Sequence, residues 1–151
     1  MAKALKGGDK LKSYMKDTER KLSTSSELRV GFLETATYPD GTPVAQVAAL
    51  NEFGVPSNNQ PPRPFFRDTI AYGVDNWPKN FFKFMQASNN NVERSMQWLG
   101  MKIQGDIQDA IESFDDPANA EATAAKKGFN NPLIDKGTMQ RSVDFEVGGD
   151  S

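Results

Sequence analysis

The chain has 151 residues, neither cysteine nor histidine, 37% apolar side chains and a net charge of -2, with a mean hydropathy of -0.62. That length suits a single domain with a core that needs no staples. The missing thiols and imidazoles exclude a disulfide framework, thiolate metal sites and histidine acid–base chemistry. So low an apolar share predicts helices with one wet face, or surface completed by a partner.

No apolar run is long enough to cross a bilayer, and Met1-Ala2-Lys3-Ala4-Leu5-Lys6 is not followed by the apolar core of a secretory signal. A soluble protein with no membrane partner, not exported by its own signal, is expected. Charge is uneven: residues 1–21 carry seven basic side chains against three acidic ones, a net +4, which leaves -6 for the rest. An acidic body with a basic N-terminal helix differs from a DNA-binding domain, whose basic face spreads across the fold.

Taken in order, residues 9–22 predict an amphipathic helix, with Asp9 as cap and Leu11, Tyr14, Met15 and Leu22 on one face; the serine- and threonine-rich residues 23–26 break it. Residues 27–33 predict a strand in which Leu28, Val30 and Phe32 share a side. Tyr38-Pro39-Asp40-Gly41 is type I turn chemistry. Thr42 and Pro43 then read as the N-cap and first position of a short helix ending at Phe53, with Gly54 as a left-handed C-cap and Pro56 barring its resumption. Pro61, Pro62 and Pro64 hold the next stretch extended until Pro64 opens a long helix.

Two charges in this elbow sit at unfavourable helix ends. Glu52 lies at a C-terminus and Arg63 at an N-terminus, each costing a few tenths of a kcal/mol unless offset, roughly the worth of an exposed ion pair. Glu52 is therefore expected to pair with Arg63 or Arg67, within the subunit or across to a neighbour.

The long helix carries an apolar stripe of Phe66, Ile70, Val74, Trp77, Phe81, Phe84 and Met85, with a kink or brief break expected at Pro78 and Asp75 or Asn76 capping any second segment. Residues 89–91 connect it to another helix, for which Asn90 and Glu93 resemble a capping box. That helix carries Val92, Met96, Leu99, Ile103, Ile107, Ala110, Ile111 and Phe114. Matching stripes predict an antiparallel helical hairpin packed on a sheet. Residues 116–128 have helix signals at both ends but almost no apolar face, Asp135 is placed to cap a turn over 137–141, and residues 142–147 alternate as a closing strand. Residues 1–8 and 148–151 read as flexible ends of one domain spanning 1–151.

Candidate chemistry is sparse. Asp106, Asp109 and Glu112 could hold a hard cation but read as the wet face opposite Ile103, Ile107 and Ile111. Asp115-Asp116 reads as a cap. No serine occupies a nucleophile elbow and no glycine loop has phosphate-cradling spacing. The expectation is no enzyme, no cofactor and no metal. The aromatic stripe suits a core better than base stacking, and the lysine-rich first helix reads as a wet face or an arm docking on an acidic neighbour, ahead of a nucleic-acid contact.

Three elements together resemble a known family: Ala49-Leu50-Asn51-Glu52-Phe53-Gly54, then Pro61-Pro62-Arg63-Pro64-Phe65-Phe66-Arg67, then Pro132-Leu133-Ile134-Asp135-Lys136-Gly137. The pattern is similar to that of the tail-completion, or head–tail joining, neck proteins of tailed bacteriophages, which carry N/H-E-F-G, P-x-R-P-F-apolar-R and P-L-apolar-D-T-G elements and then a serine opening the last strand. The match runs in order over roughly residues 10–147, and Thr123 with Lys126-Lys127-Gly128 falls where the family has a comparable threonine and lysine. Lys136 replaces the usual threonine, and residues 88–91 and 117–125 lie where the family varies.

The resemblance implies an α+β fold with long helices against a small antiparallel sheet. It implies a homo-oligomeric ring, six-fold or twelve-fold, in the virion neck, assembled in the host cytoplasm. Its partners would be head connector or adaptor proteins on one side and tail terminator or tail tube proteins on the other. Genomic DNA would pass through the lumen without specific binding, since like charges oppose phosphate contact. The expected subunit or partner interface is Glu52, Phe53, Gly54, Pro61, Pro62, Arg63, Pro64, Phe65, Arg67, Asp135 and Gly137. The alternatives are a tail terminator capping the tail tube and, less in keeping with the charge, a small nucleic-acid-binding module using residues 3–21.

Overall fold

The computed structural model describes residues 8–23, 26–115 and 137–149. Asp135, Lys136, the helix expected at 116–128 and the motif at 132–134 lie outside the described residues.

A short antiparallel pair of strands brings distant parts of the chain together: β1 (Ser26–Phe32) runs against β2 (Val143–Gly149), with Val30 opposite Phe145 and Phe32 opposite Val143. Period-two alternation turns Leu28, Val30 and Phe32 to one side, where they pack on the core, while Glu27 and Arg29 face water and pair at 3.0 Å. Two strands are marginal alone and need a packed partner. That partner is α4 (Val92–Ser113), which contacts both strands. Its Ile103, Ile107 and Ile111 are buried, and Gln104 donates to the Val143 carbonyl at 2.7 Å. Gly100 lets the sheet come close, because a Cβ there would collide with the Phe145 ring.

The antiparallel hairpin is formed by α4 and α3 (Phe65–Ala87); Phe66 and Trp77 of the expected stripe pack against the core, but the fully buried positions of α3 lie on a neighbouring line. The buried positions are Phe65, Thr69 and Gly73, whereas Ile70 and Val74 stay 40% and 62% exposed. Small residues face α4 because they allow close approach, with room at Gly73 for the Trp77 indole, whose Nε1 donates to Asp106 at 2.8 Å. The expected break at Pro78 does not occur, and α3 runs through it. Val74, whose carbonyl loses its usual donor, and Pro78 both lie on the exposed side, where water can serve that carbonyl. Asn76 caps nothing and donates back to the Tyr72 carbonyl at 2.7 Å.

The α3–α4 turn also differs by one residue from expectation. Asn91, not Asn90, is the cap, its Oδ1 accepting the Arg94 amide at 2.9 Å. Asn90 is spent on the turn, since it and Asn89 adopt left-handed φ values of 60° and 56°. Ser88 and Ser95, both buried, bond to each other at 2.8 Å and tie the turn down. A one-turn helix, α5 (Thr138–Arg141), leads into β2 and buries Met139 beside Val44 and Ala48. Among the described residues α1 (Gly8–Ser23) makes no extensive contact with another element. No helix among the described residues is long and apolar enough to cross a membrane.

Truncating Ile107, 1% exposed on the core face of α4, to alanine should cost about 2–5 kcal/mol in urea unfolding. A loss under about 1 kcal/mol would show that this face is not the core.

Candidate interface elbow

The elbow begins with α2 (Val44–Phe53). Its N-cap is Pro43, not Thr42: the Pro43 carbonyl accepts the Gln46 amide at 3.1 Å. Thr42 is held in the preceding turn, where its amide donates to Asp40 Oδ1 at 2.9 Å and its carbonyl accepts the Tyr38 amide at 2.8 Å. The Thr42 amide also holds the Asp40 carboxyl below its usual pKa.

Gly54 ends α2 with φ 74° and ψ 173°, a positive-φ extended conformation rather than the left-handed helical one expected. That region is essentially reserved for glycine. A Cβ there would also stand 2.7 Å from the Gln60 carbonyl oxygen and the Pro62 nitrogen. The loop then folds on itself. A 3-10 turn (Pro56–Asn58) is clasped by reciprocal Val55–Gln60 backbone bonds of 2.9 and 3.1 Å, and the Arg63 amide donates to the Asn51 carbonyl at 2.8 Å.

The two helix ends serve each other. The buried Glu52 carboxylate, from the last turn of α2, accepts the Phe66 amide at 3.0 Å and the Arg67 amide at 3.2 Å, so it caps the N-terminus of α3. It also takes Arg67 Nε at 2.6 Å, while Arg67 Nη2 donates to the Glu52 carbonyl at 3.3 Å. Of the two arginines considered, Arg67 forms the ion pair with Glu52. Arg63 turns instead to Asn51, donating from Nη1 to Oδ1 at 3.1 Å, and burial lowers its pKa. Each charge thus acts on the opposite helix's end, where the dipole favours it.

The elbow therefore has an inside and an outside. Glu52, Arg63 and Phe65 are buried at 5%, 8% and 2% exposure, and Gly54 and Pro64 are half-buried. Phe53 (64% exposed), Pro61, Pro62 and Arg67 face solvent, with the Arg67 guanidinium 5.3 Å from the centre of the Phe53 ring. Gly137, with a left-handed φ of 69°, opens α5, which packs against α2 and so comes to the same side of the fold. Asn51, although part of the N-E-F-G element, and Gln60 were not among the expected site residues. Asn51 bonds Arg63, the Gln60 amide at 3.3 Å and the Val47 carbonyl, and a polar residue ending an apolar helix was the available signal.

Elsewhere the carboxylates do not converge. Asp106 is engaged by Trp77 and Lys102, Glu112 accepts from Gln140 at 3.2 Å, and no metal-binding group of three occurs among the described residues. Comparison with known protein families, curated proteins and solved structures finds no match to this chain.

Glu52→Ala should cost about 2–4 kcal/mol in urea unfolding, because it strips two amides and a guanidinium of their acceptor; Glu52→Gln, which keeps one acceptor oxygen, should cost less. A Glu52/Arg67 double-mutant cycle should give about 0.5–2 kcal/mol of coupling, the half-exposed arginine limiting the value. Gly54→Ala should lose about 3 kcal/mol or more through backbone strain and collision, read as a fall in the urea midpoint.

Proposed function

We propose that the chain is a structural subunit of a tailed-phage neck, forming a homo-oligomeric ring that joins the head connector to the tail. The observation that carries this reading is the braced elbow: the motif residues that carry the resemblance divide into a buried brace and a solvent-facing rim. Glu52, Arg63 and Phe65 hold the shape with Arg67, whose outer side joins Phe53, Pro61 and Pro62 in presenting it. A surface fixed in advance loses little freedom on docking, which favours a permanent structural contact over a transient one. Phenylalanine and arginine, the types at 53 and 67, are also enriched at protein interfaces relative to the rest of the surface. The α+β architecture agrees with the family's implied fold, and the acidic body suits a conduit that DNA traverses without adhering.

The test separates rim from brace. Phe53→Ser, at a 64% exposed position that leaves the Glu52–Arg67 pair intact, should leave thermal stability within a few degrees of the parent yet abolish co-assembly with connector and tail components, as read by electron microscopy of reconstituted particles. Particles that join and infect normally with this variant would refute the elbow's role. A parent chain that stays monomeric by light scattering, alone and with connector or tail, would refute the neck reading.

A further inference from the structure

α1 carries an apolar stripe that is left largely exposed. Leu11, Tyr14 and Met15 are each about 60% exposed. The described hydrogen bond tying the helix to the hairpin runs from Asn90 Nδ2 to the Tyr14 hydroxyl at 2.9 Å. At 100° per residue, Lys10 and Lys12 flank that stripe on opposite sides, with Lys16 beyond. These three lysines have no ion pair among the described residues.

A complementary surface lies between α3 and α4: an open groove of about 400 Å³ whose walls include Phe65, Tyr72 and Phe114. Tyr72 is 64% exposed. Its rim carries Asp68, Asp109 and Asp115, none of which has an ion pair among the described residues. An acidic rim around the exposed Tyr72 and the half-buried Phe114 suits lysines set beside an apolar stripe, and the arm's +4 against the body's -6 gives the same complementarity over longer range.

Position decides which groove the arm can fill. Tyr14 is held at the turn joining α3 to α4, whereas the groove lies at the other end of the hairpin, about 25 Å away at 1.5 Å per helical residue. An arm at one end and a receptor at the other form a head-to-tail contact between copies, the kind that closes into rings when the rotation permits.

We propose that α1 of one copy seats Leu11, Tyr14 and Met15 in the α3–α4 groove of the next copy, with the flanking Lys10 and Lys12 facing Asp68, Asp109 and Asp115 and Lys16 adding positive charge from farther round the helix. This rests on reading the chain as a self-assembling subunit, and it names a contact separate from the elbow.

The test uses two full-length charge-reversed chains, one with Lys10→Glu, Lys12→Glu and Lys16→Glu, the other with Asp68→Lys, Asp109→Lys and Asp115→Lys. Light scattering should find the parent oligomeric, each reversed chain monomeric, and a mixture of the two oligomeric again, because each arm then meets a groove of opposite charge. Leu11→Ser with Met15→Ser should weaken parent association about tenfold or more, as loss of two half-buried apolar contacts implies, with the helical circular dichroism of the folded body kept. Reversed chains that associate as the parent does, or a mixture that stays monomeric, would overturn arm docking while leaving the ring reading intact. A monomeric parent would overturn both. Salt-sensitive DNA retardation lost with the three lysines, without change in oligomer mass, would assign the arm to a polyanion and overturn the proposal.

Discussion

The turn between α2 and α3 depends on one carboxylate serving a helix other than its own. Glu52 stands where its own helix repels it, but the chain reverses within a dozen residues and carries it onto the first amides of α3. Those amides have no intrahelical acceptor and the dipole there is positive, so a burden to α2 becomes a cap for α3. Arg67 completes the exchange by returning a donor to the α2 carbonyl end and neutralising the buried carboxylate. Removing either partner would leave the other helix end short of a bond in a site with little water to replace it.

Such a joint is rigid because its constraints are of different kinds. Gly54 supplies a backbone conformation that other residues resist, prolines restrict the loop, and reciprocal Val55–Gln60 bonds close it. The joint also orients the hairpin. Phe65, the first residue of α3, is buried in the core and meets Phe32 of β1 edge-on at a ring separation of 6.4 Å, so the elbow's geometry passes directly to the sheet. The two-stranded sheet and the single-turn α5 are then stabilised by α4 rather than by their own pairing.

Surface chemistry separates into two regions at different places on the subunit. The elbow offers a small, stiff rim in which an arginine stacks near an exposed phenylalanine. The arm carries lysines beside an exposed apolar stripe, and the groove carries Asp68, Asp109 and Asp115 around Tyr72. A ring held by both would have one component that is salt-dependent and steers encounter, and one that fixes angle. In that arrangement the modest apolar content of the chain reflects faces divided between copies rather than a thin core.

Element types and their order were legible in the residues. Alternation marked β1 and β2, proline and glycine marked the elbow, and isoleucines at helical spacing marked the buried side of α4, because these are local consequences of steric restriction and period. The opposition of Glu52 to its helix was legible too, with Arg63 and Arg67 left as alternative partners until the fold chose Arg67. The buried face of α3 was legible only in part: Phe66 and Trp77 of the expected stripe pack against the core, but the hairpin favours close approach through Thr69 and Gly73, so Ile70 and Val74 stay outside. Caps shifted by a residue at Pro43 and Asn91 because neighbouring turns had already claimed Thr42 and Asn90. The sequence by itself determined the elements and the charges that had to be answered. Only the tertiary structure decided which side chains answered them and which faced outward, because those choices depend on distances between residues far apart in the chain.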